Sequence, residues 1–174
     1  MGCSFTTYDE MQKTGSGQSG VPSRNGLQVQ SGLSCIGNNY TDASFLLNKT
    51  GSPTGTVECA VYDSSGTKQV SLGTLDASTL TTSNVEYNFT DPDATYTCAS
   101  GDRLVIDYSS GDSSNYIGFA INNAGGDTSN QIQALFVSPS WSTVSSRCVY
   151  FKLNEYVPPP ETSSLLFPPP VAYI

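Results

Sequence analysis

Hydrophobic and polar residues alternate along much of the chain, in short runs that are separated by turn-forming residues. In the run at 43–48, for example, Ala43, Phe45 and Leu47 fall on one face of an extended strand. The same alternation predicts a series of further strands. They cover residues 27–30, 56–62, 68–72, 85–90, 103–108, 116–121, 132–137 and 147–153.

Glycine, serine, asparagine and aspartate cluster between these runs, as in the turn-forming segment Asp63–Gly66. Short alternating strands at this spacing predict an all-β fold, and we expect a jelly-roll β-sandwich. Most aromatic residues lie within the predicted strands, which favours a role in packing. The phenylalanines expected in the core are Phe45, Phe89, Phe119 and Phe151.

The two ends of the chain depart from this pattern. Residues 1–26 are polar and rich in glycine and serine, which predicts an N-terminal arm, and residues 27–156 are predicted to form the sandwich domain. Residues 157–174 form an apolar tail in which proline triplets at 158–160 and 168–170 favour an extended polyproline II conformation. Two alternatives remain open for the tail: packing along its own domain, or docking on a neighbouring subunit. The expected assembly contacts are Leu165, Leu166, Phe167, Val171 and Ile174.

Charge and composition exclude several classes of function. The net charge of -8 and the pI of about 4.1 repel phosphate backbones, so we expect no binding to nucleic acid. The absence of histidine removes the usual general base and the histidine metal sites. No apolar run is long enough for membrane insertion.

The remaining candidates for catalysis are paired carboxylates. Asp91 and Asp93 flank a proline, and Asp107 and Asp112 flank a glycine-containing turn, so both pairs are typical of turn formers. Trp141, in a predicted loop rich in serine and proline, is the aromatic residue that we expect to face a sugar or a partner. We therefore expect neither an enzyme nor a cofactor, and no catalytic or metal-binding residues.

Five cysteines occur without the C-x-x-C spacing of a zinc site, which favours disulfides in an oxidising compartment. We predict one disulfide between Cys59 and Cys98 and another between Cys35 and Cys148. Cys3 is then the odd cysteine and a candidate thiol for an intersubunit disulfide. The alternative is that some of these residues are buried thiols, since cysteine often lies in protein cores.

Three N-glycosylation sequons begin at Asn39, Asn48 and Asn88, and none contains proline. Asn48 and Asn88 alternate with residues that are predicted to face the core, so their side chains are expected to face solvent. Asn39 is expected in a turn. Covalent N-linked glycans and disulfides both indicate an extracellular or cell-surface protein.

Several segments together resemble a jelly-roll domain that recurs in secreted archaeal and bacterial surface proteins and has the fold of carbohydrate-binding modules. The resemblance covers about residues 27–153. It is carried by segments 43–57, 62–66, 75–80, 99–106 and 108–116. It implies a jelly-roll fold and two alternative functions, a structural surface domain or a carbohydrate-binding module.

We expect the first of these functions, because the two ends appended to one β-domain are suited to reaching adjacent subunits. The predicted protein is an extracellular structural subunit that assembles head to tail with copies of itself into a glycosylated surface filament or appendage. The alternative is a non-catalytic carbohydrate-binding or adhesive module.

Overall fold

The structure, a computed structural model, describes residues 3–15, 17–18, 21–123, 130–137 and 139–155. These residues form fourteen β-strands and one short 3₁₀ helix, Ala77–Thr79. The strands of the first half are β1 (Cys3–Phe5), β2 (Glu10–Thr14), β3 (Arg24–Val29), β4 (Asn39–Thr50), β5 (Thr56–Tyr62), β6 (Lys68–Asp76) and β7 (Val85–Thr90). Those of the second half are β8 (Tyr96–Thr97), β9 (Arg103–Asp107), β10 (Tyr116–Asn122), β11 (Gln131–Val137), β12 (Ser140–Val144), β13 (Cys148–Val149) and β14 (Phe151–Glu155).

All described strand pairs are antiparallel, and they form two sheets. Sheet A has the order β1-β14-β4-β10-β13, with β2 added to β10 and with β7 and β8 added to β4. Sheet B has the order β12-β11-β3-β9-β5-β6. The prediction of an all-β protein is therefore confirmed, and the two sheets are arranged as a β-sandwich. The jelly-roll connection of the strands stays a prediction.

The main hydrophobic core lies between the two sheets. Sheet A contributes Phe45, Phe89, Phe119 and Phe151, each at most 1% exposed, so their predicted position in the core is confirmed. Sheet B contributes aliphatic side chains from β3, β5, β6 and β9. These are Leu27, Val29, Val57, Val61, Leu72, Leu104 and Ile106. Alternation along each strand therefore turns one face into this core and leaves the other on the surface.

The described part of the predicted N-terminal arm belongs to the sandwich. β1 pairs with β14, and β2 pairs with β10 over five residues, Glu10–Thr14. The inward polar side chains of β2 are hydrogen-bonded to sheet B. Asn25 Nδ2 donates to Gln12 Oε1 at 2.8 Å and to Thr14 Oγ1 at 3.1 Å. The boundary predicted at residue 27 thus does not separate an arm from a domain. Hydrophobic patterning misses β2 because its inward side chains are polar.

The predicted disulfide between Cys59 and Cys98 is corrected, because both residues are free thiols. Cys98 lies near Asp102 at one end of the sandwich, where the next residue, Arg103, pairs with Tyr62. Cys59 is three residues from Tyr62 along β5, a separation of about 10 Å. The two cysteines are therefore placed at different positions along the core, whereas a disulfide requires Cα atoms within about 7 Å of each other. The alternative of buried thiols holds for both residues.

The predicted disulfide between Cys35 and Cys148 is also corrected. Cys35 is disulfide-bonded, whereas Cys148 retains a thiol that donates to the carbonyl oxygen of Gln131 at 3.7 Å. Cys148 lies in β13 opposite Asn122 of β10, inside sheet A. The side chain of Cys3, the candidate intersubunit thiol, lies outside those that the structure describes.

The predicted assembly residues Leu165, Leu166, Phe167, Val171 and Ile174 also lie outside the described residues. Among the residues that are described, no helix combines the length and the apolar character needed to cross a membrane.

Candidate binding surfaces

A second, smaller cluster of apolar side chains lies on the outer face of sheet B. Ala60, Tyr62 and Val105 are buried there, and Trp141 packs against them. The ring centroid of Trp141 lies 5.3 Å from that of Tyr62 and 5.2 Å from that of Phe136. Side chains on this face point away from the main core, and Phe136 and Trp141 stay partly exposed there whereas Tyr62 is buried beneath them.

Two arginines complete this surface. The Arg24 guanidinium lies 4.3 Å from the ring centroid of Phe136 and 4.9 Å from that of Tyr62, and Arg103 lies 5.0 Å from the ring centroid of Trp141. A guanidinium over an aromatic face is attracted by the ring quadrupole. Together the five side chains form what we call the aromatic–arginine cluster. Its members are Arg24, Tyr62, Arg103, Phe136 and Trp141.

The two arginines differ in their polar partners. Arg24 Nε donates to Asp107 Oδ2 at 2.6 Å, and Tyr62 Oη donates to the same oxygen at 3.0 Å. Burial, together with the nearby Asp107 carboxylate, raises the pKa of Tyr62 to about 12, so its hydroxyl stays protonated. Arg103 instead donates from Nη1 to the backbone carbonyl oxygens of Asp63 at 2.7 Å and Ser64 at 3.2 Å. Arg103 therefore contributes a positive charge that no carboxylate among the described residues neutralises at ion-pair distance.

Trp141 was expected in a loop but lies in β12, opposite Phe136 of β11. Among the described residues β12 pairs only with β11, so it forms one edge of sheet B. Its sequence, Ser-Trp-Ser-Thr-Val, contains no charge and no proline. Edge strands of soluble proteins commonly carry charged residues or proline, which prevent pairing with a further strand. β12 lacks this protection and is continuous with the aromatic–arginine cluster through Trp141.

A polar groove of about 330 Å³ lies at one end of the sandwich. We call it the end groove, and it is lined by Asp63, Gln69, Val70, Thr95, Tyr96, Thr97 and Asp102. Tyr96 Oη donates to Asp102 Oδ2 at 3.2 Å, and Gln69 Nε2 donates to Asp63 Oδ2 at 2.8 Å. Burial raises the pKa of Asp102 above its ordinary value. The groove thus offers carboxylate and hydroxyl groups of the kind that hydrogen-bond to polar ligands.

The three sequon asparagines all lie on the side of sheet A that faces away from the core, because each alternates with a core residue of its strand. Asn39 and Asn88 are exposed, and Asn39 begins β4 instead of lying in a turn. Asn48 is half-buried, and its Nδ2 donates to Asn84 Oδ1 at 2.7 Å. The Nδ2 atom, which would carry a glycan, therefore belongs to an exposed side chain at Asn39 and Asn88 but is hydrogen-bonded to Asn84 at Asn48.

The paired carboxylates considered for catalysis have structural partners. Asp91 Oδ1 accepts the backbone N–H of Asp93 at 3.1 Å, as in an Asx turn. Asp107 binds Arg24, and Asp112 Oδ1 accepts the N–H groups of Ser114 at 2.7 Å and of Asn115 at 2.8 Å. The contacts of Asp91 and Asp112 agree with the turn-forming roles that the sequence predicts, whereas Asp107 lies in β9 and forms an ion pair instead of a turn.

Sequence reasoning singled out Trp141 but missed its companions. Arg24 lay within the predicted arm, and Arg103 and Phe136 lay within predicted strands, with no signal that they meet on one face. Outward positions follow from alternation once the inward residues are known, but the order of strands in sheet B does not. Comparison of the chain with protein-family models, with curated proteins and with solved structures found no match.

Proposed function

We propose that the protein is an extracellular structural subunit that assembles with copies of itself into a glycosylated surface filament or appendage. The observation that carries the proposal is the aromatic–arginine cluster, which is continuous with the unprotected edge strand β12. Aromatic residues and arginine are the residue types enriched at protein interfaces. An uncharged edge strand accepts an additional strand through its backbone groups.

The position of the sequons supports the same proposal. Asn39, Asn48 and Asn88 lie on the outer side of sheet A, so glycans there would cover the face opposite the aromatic–arginine cluster. One face would then be shielded by carbohydrate while sheet B stays open to contact. A contact between different surfaces of two copies repeats without closing and forms a filament, unless the rotation closes it into a ring.

Sedimentation velocity of the full chain over a wide range of concentrations, with negative-stain electron microscopy, tests this proposal. We expect larger species at higher concentration and regular fibres. Trp141→Leu should weaken assembly, whereas Tyr150→Leu should not. Tyr150 is a matched control, because it forms a comparable edge-to-face pair with Tyr8 at 6.3 Å but contacts Glu86 of sheet A. A folded protein that stays monomeric at every concentration would contradict the proposal.

A second candidate function is binding of carbohydrate by a non-catalytic, adhesive module. The observation that favours it is the end groove, whose Asp63, Asp102 and Tyr96 supply hydrogen-bonding groups for sugar hydroxyls. Glycan-array binding by dispersed monomers, lost in Asp102→Asn and retained in Trp141→Leu, would favour this candidate over the structural subunit.

A further inference from the structure

The aromatic–arginine cluster has features that suit a proline-rich ligand. Three aromatic rings lie next to one another, with neighbouring centroids 5.2 Å and 5.3 Å apart, and Trp141 at their centre is half-buried. Domains that bind polyproline II segments do so on closely spaced aromatic side chains, because proline rings pack on aromatic faces. An extended proline segment also loses little conformational entropy when it binds.

We infer that this cluster is the docking site for the proline-rich segment 157–174 of a second copy of the chain. The inference rests on the proposed function and names the surface that would receive the neighbouring subunit. The segment carries one proline triplet at 158–160 and another at 168–170, with Leu165, Leu166 and Phe167 between them. Proline has no backbone N–H and favours an extended conformation, so each triplet is suited to an aromatic surface.

The charges of the cluster and of segment 157–174 also favour docking between them. The chain has a net charge of -8, yet Arg24 and Arg103 lie together on this surface. Arg24 is neutralised by Asp107, whereas Arg103 donates hydrogen bonds to the carbonyl oxygens of Asp63 and Ser64 and forms no ion pair with a described carboxylate. Glu161 follows the first proline triplet directly. A triplet on the rings would therefore bring Glu161 close to a positive charge that lacks a carboxylate partner.

The starting point of the segment favours a second copy over the same chain. β14 ends at Glu155, which pairs with Tyr40 in sheet A, whereas the cluster lies on the outer face of sheet B. Pro158 follows Glu155 after two residues, and a proline triplet is stiff over about 9 Å. Such a segment would have to reverse around the edge of the sandwich to reach its own cluster. A second copy placed beyond the end of β14 would receive the segment without that reversal.

The test uses the full chain and the fluorescence of its single tryptophan, Trp141. Emission and acrylamide quenching are measured across the concentrations at which sedimentation velocity detects assembly. We expect a blue shift and reduced quenching that follow assembly. Assembly with unchanged Trp141 emission would overturn this docking site but leave the structural function standing. Protected emission that persists at the lowest concentrations, and that is lost when Pro158, Pro159 and Pro160 are replaced with serine, would assign the segment to its own chain and would also overturn the inference.

Variants on both sides of the contact complete the test. Replacing Pro158, Pro159 and Pro160 with serine leaves the described sandwich unchanged and should raise the concentration for half-assembly at least tenfold. Arg103→Lys, which keeps the charge but removes the planar stacking on Trp141, should weaken assembly less. Tyr150→Leu should assemble normally. If the serine variant assembles as the parent does, the inference is wrong, and absence of assembly in the parent would remove the proposed function as well.

Discussion

Arg24 donates from Nε to Asp107 Oδ2 at 2.6 Å, across the pairing of β3 with β9 on the outer face of sheet B. The two side chains are only 26% and 20% exposed, so the ion pair is shielded from much of the solvent. The same carboxylate oxygen accepts the hydroxyl of Tyr62. One carboxylate therefore fixes both a guanidinium and a ring of the aromatic–arginine cluster.

The stability of this arrangement can be measured by substitution of Asp107. Asp107→Ala removes the acceptor of two hydrogen bonds and should lower the free energy of unfolding by about 2 kcal/mol, whereas Tyr62→Phe should lower it by about 1 kcal/mol. Glu58→Ala is the control, because its ion pair with Lys68 is more exposed, and should cost less than about 1 kcal/mol. Urea unfolding measures all three, and equal losses for Asp107→Ala and Glu58→Ala would contradict the assignment.

Gly73 marks a close approach of the two sheets. It has φ +134°, and a Cβ there would lie 2.7 Å from the backbone N of Thr90 in β7. Gly73→Ala should therefore destabilise the protein by about 3 kcal/mol, because backbone must move. Gly37→Ala is matched in having a positive φ of +85° but has open space at the Cβ position, so about 1 kcal/mol is expected. Similar thermal midpoints for the two variants would show that the contact at Thr90 costs little.

Asp112 gives the stability a defined dependence on pH. Hydrogen bonds from the Asn115 side chain and from the backbone N–H groups of Ser114 and Asn115 hold the pKa of Asp112 below its ordinary value. A carboxyl whose pKa is lower in the folded state contributes stability above its unfolded pKa of about 3.9, and this contribution is lost as pH falls through the folded pKa. Asp112→Asn should therefore be less stable than the parent at pH 7, with the difference shrinking towards pH 2. Urea unfolding at both pH values checks this, and a constant difference would refute it.

The state of the cysteines can be read by alkylation and mass spectrometry. Burial raises the pKa of the Cys59 thiol, so the native protein should react slowly with iodoacetamide at neutral pH. After unfolding without reductant, Cys59, Cys98 and Cys148 should be alkylated and Cys35 should not. Recovery of a peptide in which Cys59 is linked to Cys98 would restore the disulfide predicted from the sequence.

The sequons should differ in occupancy if the protein is made in a host that glycosylates them. Asn88 is exposed, and its Oδ1 accepts the hydroxyl of Ser44 at 2.9 Å, which leaves Nδ2 directed elsewhere. Peptide mapping should find Asn88 and Asn39 more fully modified than Asn48, whose Nδ2 binds Asn84. Thr90→Ala should remove the glycan at Asn88 alone. Highest occupancy at Asn48 would mean that modification precedes folding of β4.

The sequence by itself determined the class of fold and most of the strands. Alternation placed Thr56–Tyr62 and Val85–Thr90 with the bounds that the structure has, because apolar residues recur at every second position of each strand. It also placed the four core phenylalanines. It did not find β2, whose inward Gln12 and Thr14 are held by amide groups of sheet B, nor β12, whose five residues show no apolar face.

Only the tertiary structure decided which outward residues meet. The order of strands in sheet B brings Arg24, Phe136 and Trp141 from three separate strands to Tyr62, and long-range pairing leaves no local trace in the sequence. The cysteine pairings failed for the same reason, since a shared inward face says nothing about distance along a strand. The inward or outward position of a residue within its own strand can therefore be assigned from sequence. Contacts between residues of different strands require knowledge of the fold.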